Sequence, residues 1–378
     1  MRKSVFYLSV FLALASFIFG SDQVYKKETL YDSGKIREFT GKDLGTIAFP
    51  IGGLGTGNIT LGGRGEIREL EIFNRPDKGK SPDFTFFSIW AREEEKQSVA
   101  RILERQFFPP YIAWMGIPRN QLPGVSRFEE VVFKGEYPFA SLKFEDEEIP
   151  VEVMLEAYNP LIPLSPEKSG IPAAVFYWKI KNEKSSPVSV SLAFSMMNPI
   201  KTVDKAKRIS FGKNLNQFID DGRFRGIKMT SNRGTEEDVE FGSIAFVTVE
   251  KEVDVQTRWY RGGWWDNAHI FWDDFSDDGR LTRMTDSEES PEGRSDVATL
   301  LVHIELRPGE EKIVPFYLTW YFPNRDNYWN REEEVKSKRF KNYYASKFQD
   351  AWDVARHFIR NEKELYPETK TFHDTLVR

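Results

Sequence analysis

The chain has 378 residues, 40% of them hydrophobic and 15% aromatic, ample material for one or more packed cores and too apolar for a disordered chain. Its formal charge of −5 opposes binding to phosphate backbones, so nucleic acid is not expected as a partner. The absence of cysteine excludes disulfides, thiol catalysis and cysteine metal sites.

The first twenty residues differ from the rest. Arg2 and Lys3 precede an apolar run from Val5 to Phe19, too short for a membrane span and patterned like an export signal. This predicts a secreted or periplasmic protein, with residues 1–20 as signal peptide. From about residue 47 to 322 the sequence reads as strands and turns. Val151, Val153 and Leu155 alternate with Glu152, Met154 and Glu156. Phe176, Trp178 and Ile180 share one face of the next run, and Val188, Val190, Leu192 and Phe194 alternate with Ser189, Ser191 and Ala193. Period two predicts half-buried strands. Residues 243–253 and 299–306 are further strand candidates. Pro308-Gly309 predicts a hairpin joining 299–306 to 313–320. The fold class is therefore mainly β, a large antiparallel β-sandwich, over residues 21–325.

The pattern then changes. Residues 331–378 contain no glycine and one proline, Pro367. Phe348, Ala351, Trp352, Ala355, Phe358 and Ile359 recur at helical spacing, one face of an amphipathic helix. Asn330 is read as its cap, with Glu332, Glu333 and Glu334 in the acidic first turn. Pro367 is expected to end the helix or begin the next one, and residues 371–378 to start another helix with Phe372 and Leu376 inward. This makes 326–378 a helical linker, or the start of a further domain, whose apolar face needs a surface to pack on, either the sandwich or another domain. Phe348, Trp352 and Ile359 are its expected interdomain contacts.

Chemical motifs are sparse. The glycine run Gly52-Gly-Leu-Gly-Thr-Gly-Asn58 leads into strand-like Ile59-Thr60-Leu61, so it lacks the strand–helix context of a nucleotide loop and reads as tight turns and close crossings. Asp273, Asp274, Asp277 and Asp278 read as a solvated acidic loop; a calcium loop opening at Asp274 would need Glu where Thr285 stands. His269, His303, His357 and His373 show no metal-ligand spacing, and no serine elbow is present. No cofactor or metal is expected. Glu66, Glu69 and Glu71 could supply a carboxylate pair for glycoside cleavage, but in so acidic a chain they read as a solvated face. The stretch Trp259-Tyr-Arg-Gly-Gly-Trp264-Trp265-Asp266 suggests a sugar platform, in which Trp264, Trp265 and Asp266 would contact carbohydrate; the competing reading is that these rings fill the core or an interdomain seam.

Several blocks in order resemble the N-terminal domain of glycoside hydrolase family 116, the family of non-lysosomal glucosylceramidases and bacterial β-glucosidases and β-xylosidases. They are Phe49-Pro-Ile-Gly-Gly-Leu-Gly-Thr-Gly-Asn-Ile59 with Gly63-Arg-Gly-Glu66, Glu71-Ile-Phe-Asn-Arg-Pro76, Asn159-Pro-Leu-Ile-Pro163, and Ser169-Gly-Ile-Pro-Ala-Ala-Val175. Asp273-Asp-Phe-Ser-Asp-Asp-Gly-Arg-Leu281, Trp320-Tyr-Phe-Pro-Asn324, Tyr343-Tyr-Ala345 and Phe348-Gln-Asp-Ala-Trp-Asp-Val354 complete the series. The resemblance implies a sandwich that supports an (α/α)6 barrel, in cis or in trans. The catalytic carboxylates would belong to that barrel, so no residue of this sequence is assigned to catalysis. The implied role is that of a non-catalytic domain of a retaining β-glycosidase acting on β-linked carbohydrate or glycolipid. A free-standing carbohydrate-binding sandwich is the alternative.

Overall fold

Two sheets stack face to face, and each strand serves two layers at once. In Val188–Met197 the residues Val188, Val190, Leu192 and Phe194 enter the core between the sheets, while Ala193 faces the opposite side. The computed structural model describes residues 36–109, 116–203, 209–263, 266–327, 329–336 and 338–377. The expected signal at 1–20 and two of the expected sugar contacts, Trp264 and Trp265, lie outside these.

The larger sheet has nine antiparallel strands. From edge to edge they are Glu38–Phe39, Glu130–Glu136, Phe139–Glu145, Val151–Tyr158, Ala173–Asn182, Glu311–Tyr321, Ser243–Thr248, Arg225–Ser231 and Asn214–Asp220. The smaller has six: Val253–Gln256, Val297–Leu306, Val188–Met197, Phe86–Glu93, Val99–Arg105 and Arg127–Phe128. Between them lie Phe87, Phe176, Trp178, Phe194, Phe246 and Phe316, all buried. The Phe87 and Phe194 rings stack at 4.3 Å. A three-stranded sheet, Ala48–Ile51, Asn58–Gly62 and Ile67–Glu71, adds Ile51, Ile59 and Leu61 to the same core.

Each outer face carries a helix. Helix α1 is the short turn Pro166–Ser169, α2 spans Asp266–Asp278 and α3 spans Ala351–Val377. Phe271 and Phe275, one turn apart on α2, pack on Phe86, Trp90 and Leu301 of the six-stranded sheet, and Trp259 stacks on Phe271 at 4.2 Å. The expectation of an acidic loop at 273–278 is thus corrected. The two phenylalanines hold that segment as a helix, and the aspartates occupy its solvent side.

Helix α3 crosses the outer face of the nine-stranded sheet, passing over several of its strands in turn. Its contacts step from Ser243 and Thr319 at Ala351 to Tyr317 at Phe358 and Glu156 at Tyr366. Trp352 and Ile359 are only 5% and 6% exposed, packed with Val175, Val247 and Tyr317. These side chains were expected to meet another domain; the chain's own sheet covers them instead, and Phe348 packs partly against the same cluster. The start and end also differ from expectation. Residues 333–336 form turns rather than a first helical turn, and α3 runs through Pro367 without a break. Proline removes one helical hydrogen bond, but the helix is anchored on both sides of it, by Lys168 to Glu364 and Glu368 and by Thr369 to the Leu161 amide. Leu376 is exposed, not inward. Residues 36–373 form one compact unit.

The expected hairpin across Pro308-Gly309 does not form. Val297–Leu306 pairs with Val188–Met197 in one sheet, and Glu311–Tyr321 with Ala173–Asn182 in the other. The turn steps between layers. Asn182 holds this corner: its amide nitrogen donates to Leu306 O at 3.1 Å and Ser186 O at 2.9 Å. The expected strand at 243–253 likewise divides into Ser243–Thr248 in one sheet and Val253–Gln256 in the other.

Candidate functional site

Strand polarity sorts the connections. The short links 94–98, 146–150, 183–187, 221–224, 249–252 and 307–310 fall at one end of the sandwich. The long ones, 72–85, 106–126, 159–172, 198–213, 232–242, 257–296 and 322–350, gather at the other. Function on a rigid scaffold concentrates at such loop-bearing ends.

Buried and half-buried polar side chains tie these loops together. Asn74 Nδ2 donates to the carbonyls of Phe322 and Asn324 at 3.0 and 2.9 Å. Asn342 reaches Asn74 and Phe322, Asn324 reaches the carbonyls of Glu236 and Asp238, and Trp320 Nε1 donates to Thr56 O at 2.7 Å. The glycine run packs into this frame. A Cβ at Gly53 would lie 2.3 Å from Ile171 O, and one at Gly57, where φ is +91°, 2.7 Å from Glu71 O. The run therefore serves close backbone crossing.

The candidate carboxylates are already engaged. Glu69 accepts from Thr60 at 2.9 Å and from the Gly79 amide at 2.8 Å, and Lys78 bridges Glu69 and Glu71 at 3.2 and 2.7 Å. Burial raises the Glu66 carboxyl above its ordinary range, with Arg64, 3.4 Å away, pulling it back. Glu104 joins Arg64 and Arg127 at 3.7 and 3.1 Å, and both guanidiniums stack on Phe107. This buried ion network explains the Gly63-Arg-Gly-Glu66 block as structure. On α2, Asp274 accepts from Gln256 and Thr282. Among the described residues no three His, Asp or Glu side chains gather as a metal-ligand set.

Two concave regions open at the loop-bearing end. The first is a groove of two adjoining hollows, about 680 and 510 Å³, sharing Asp83, Met197 and Phe211. Phe73, Arg75 and Glu240 line one part, Tyr260, Arg261 and Arg294 the other. The described part of the expected sugar loop reaches this groove but divides its aromatics. Trp259 is buried and donates to Thr299 Oγ1 at 2.8 Å, whereas Tyr260 is exposed. Asp266 starts α2, and its carboxylate crowds Gly262, where a Cβ would fall 1.7 Å from Oδ1.

The second is a pocket of about 470 Å³ between the glycine run, the 166–170 segment and α3. Leu54, Pro166, Tyr343, Phe348 and Leu365 supply apolar wall. Ion pairs rim it, Glu167 with Lys347 at 3.0 Å and Lys168 with Glu364 at 2.5 Å. Leu54 is 53% and Tyr343 66% exposed, and nearby Leu164 is fully exposed. Sequence reading gave no weight to Leu54, Leu164 or Phe211, because isolated apolar residues in loops carry no periodic signal.

A family model described as beta-glucosidase 2, glycosyl-hydrolase family 116 N-term, matches residues 48–365. Among solved structures the chain is similar to a human-microbiome protein described as a kojibiose phosphorylase, at 9% identity and TM-score 0.34, over 76% of this chain and 27% of that one. It is also similar to a polysaccharide lyase, at 11% identity and TM-score 0.32, over 71% of this chain and 30% of that one. The chain therefore spans less than a third of either structure's length. The family match runs from the first strand of the three-stranded sheet into α3, across both large sheets and the loop frame, and the chain belongs to glycoside hydrolase family 116, whose N-terminal domain it forms.

Proposed function

We propose that this chain is the non-catalytic N-terminal domain of an exported retaining β-glycosidase acting on β-glucosides or β-xylosides, and that it supports and positions a catalytic barrel. The family match over 48–365 carries the reading. The engagement of Glu66, Glu69, Glu71 and Glu104 in fixed ion pairs and hydrogen bonds supports it, because a cleaving pair needs a carboxylate free to protonate the leaving oxygen and another to attack. The catalytic domain docks at the loop-bearing end, where Leu54, Leu164 and Tyr343 stand out around a pocket able to receive an apolar anchor. The test is turnover of a nitrophenyl β-glucoside by the pure chain, alone and with the catalytic domain supplied. Turnover requiring the second component is expected; turnover by this chain alone would overturn the reading.

A second reading, carbohydrate contact through Trp264, Trp265 and Asp266, is favoured by the position of Tyr260, Arg261, Gly262 and Gly263 along the groove. Calorimetry with cello- and xylo-oligosaccharides tests it. Heat that disappears in Trp264→Ala supports it, and no heat with any glycan rejects it.

A further inference from the structure

We propose that the groove formed by the two adjoining hollows binds an acidic oligosaccharide, a chain of sugar rings bearing carboxylate groups. This rests on the carbohydrate-contact reading and adds the chemical class of the sugar and the residues that select it.

Three features of the groove carry the proposal. The hollows share Asp83, Met197 and Phe211, so the depression is continuous and suits a chain rather than a single ring. Phe73, Met197, Phe211 and Tyr260 line it without filling it, giving apolar surface for the C–H faces of sugars. The third feature is charge. Most charges of the wall cancel in pairs: Arg75 pairs with Glu240 at 2.7 Å, Lys80 with Asp77 at 2.6 Å and Arg261 with Asp296 at 2.7 Å. Asp83 is held by the Asn120 amide, a neutral partner that cancels no charge. On the neighbouring rim Glu292 pairs with Arg233, and Asp286, Glu288 and Asp296 share Arg258 and Arg261. Lys201 and Arg294 are left over. Both line the groove, and neither has a carboxylate within ion-pair distance among the described residues. Arg294 donates to Gly262 O at 3.2 Å, which leaves further donors on its guanidinium. The lining of the two hollows thus holds six cationic side chains, Arg119 among them, against four carboxylates, and this excess beside an aromatic floor, in a chain whose net charge is −5, makes a local site for anions attached to rings. Carboxylates on adjacent sugars supply them, and a guanidinium takes a carboxylate through paired hydrogen bonds.

The test is calorimetry on the full chain at low salt, comparing an oligogalacturonate with a cello-oligosaccharide of equal length and with inorganic phosphate. The acidic chain should bind about tenfold more tightly than the neutral one, the scale of one charge-assisted hydrogen bond. Lys201→Gln with Arg294→Gln should remove that preference. Phe211→Ala should weaken both glycans, and circular dichroism should show each variant folded. Equal affinity for acidic and neutral chains would overturn the proposal while leaving the carbohydrate reading intact. Phosphate competing as well as the oligogalacturonate would reduce the groove to a simple anion site. Binding of no glycan would overturn both proposals and leave the N-terminal-domain reading, which activity with the catalytic domain tests separately.

Discussion

Asn74 donates to two backbone carbonyls nearly 250 residues away in sequence, and a third staple, Asn342, closes on it. Carbonyls at a loop-bearing end have no sheet partners, so side-chain amides must satisfy them. Asn74→Ala should therefore cost about 1–3 kcal/mol, chiefly the penalty of stranding the Asn324 carbonyl, because the Phe322 carbonyl keeps Asn342 and Tyr344 as donors, read as a lower urea midpoint with unchanged slope. Trp320→Phe should cost a similar amount by orphaning Thr56 O. A different residue-scale effect arises where Tyr158, Tyr177 and Tyr317 converge on Glu362. Tyr317 donates to its carboxylate at 2.7 Å, and Tyr177 donates to the same oxygen. Burial first, and negative or hydroxyl neighbours second, raise all three phenols above the ordinary value of 10.0. Below pH 10 both folded and unfolded chains keep these protons. Above it only the unfolded chain releases them, so stability is full below the unfolded pKa and falls as pH rises toward the raised folded values. Ultraviolet titration should find these three silent until the chain unfolds, and Glu362→Gln should make them ionise at lower pH.

At the scale of the element, α3 is a strap rather than a linker. Its residues Val354, Ala355, Phe358 and Ile359 are buried against a sheet face that would otherwise expose Val175, Ala245 and Val247. Phe358→Ala should cost about 3–5 kcal/mol, as expected for emptying a filled aromatic site, measured by chemical denaturation. Phe271→Ala on α2 should cost as much for the same reason, since Trp259 stacks on that ring. The acidic outer side of α2 tolerates change: Asp277→Asn and Asp278→Asn should alter stability by less than about 0.5 kcal/mol.

For the whole molecule, four layers run helix, sheet, sheet, helix, and the six-stranded and nine-stranded sheets share one core. A chain cut at residue 325 loses the outer strap and bares an apolar sheet face. It should aggregate or bind a hydrophobic dye, whereas a chain retaining residues 36–377 should melt in one cooperative step by calorimetry. At the same scale, the Leu54→Asp, Leu164→Asp double variant should leave the isolated chain's melting temperature unchanged, because both side chains are exposed. Joined to the proposed catalytic domain, it should weaken that domain's attachment, read as a separate, earlier unfolding step; an unchanged melting profile would count against the proposed docking surface.

What the sequence determined by itself is local and periodic. Alternation in 151–156, 174–180 and 188–194 identified strands and the faces they bury, and the 3–4 spacing from Phe348 to Ile359 identified α3, because side-chain direction follows backbone period. The ordered blocks identified the family. Other features were decided only by tertiary structure. Whether Pro308-Gly309 closes a hairpin or steps between sheets depends on which strand each partner meets, and turn chemistry does not contain that. Residues 273–278 are a helix because Trp259 and the six-stranded sheet take up Phe271 and Phe275, while the aspartates alone read as a loop. The face of α3 expected to wait for another domain is covered by the chain's own sheet, since an apolar face packs on the nearest complementary surface. The groove, too, exists only in three dimensions. Arg75, Lys201, Phe211, Tyr260 and Arg294 come from three loops that strand polarity gathers at one end, and no spacing along the chain announces that they meet.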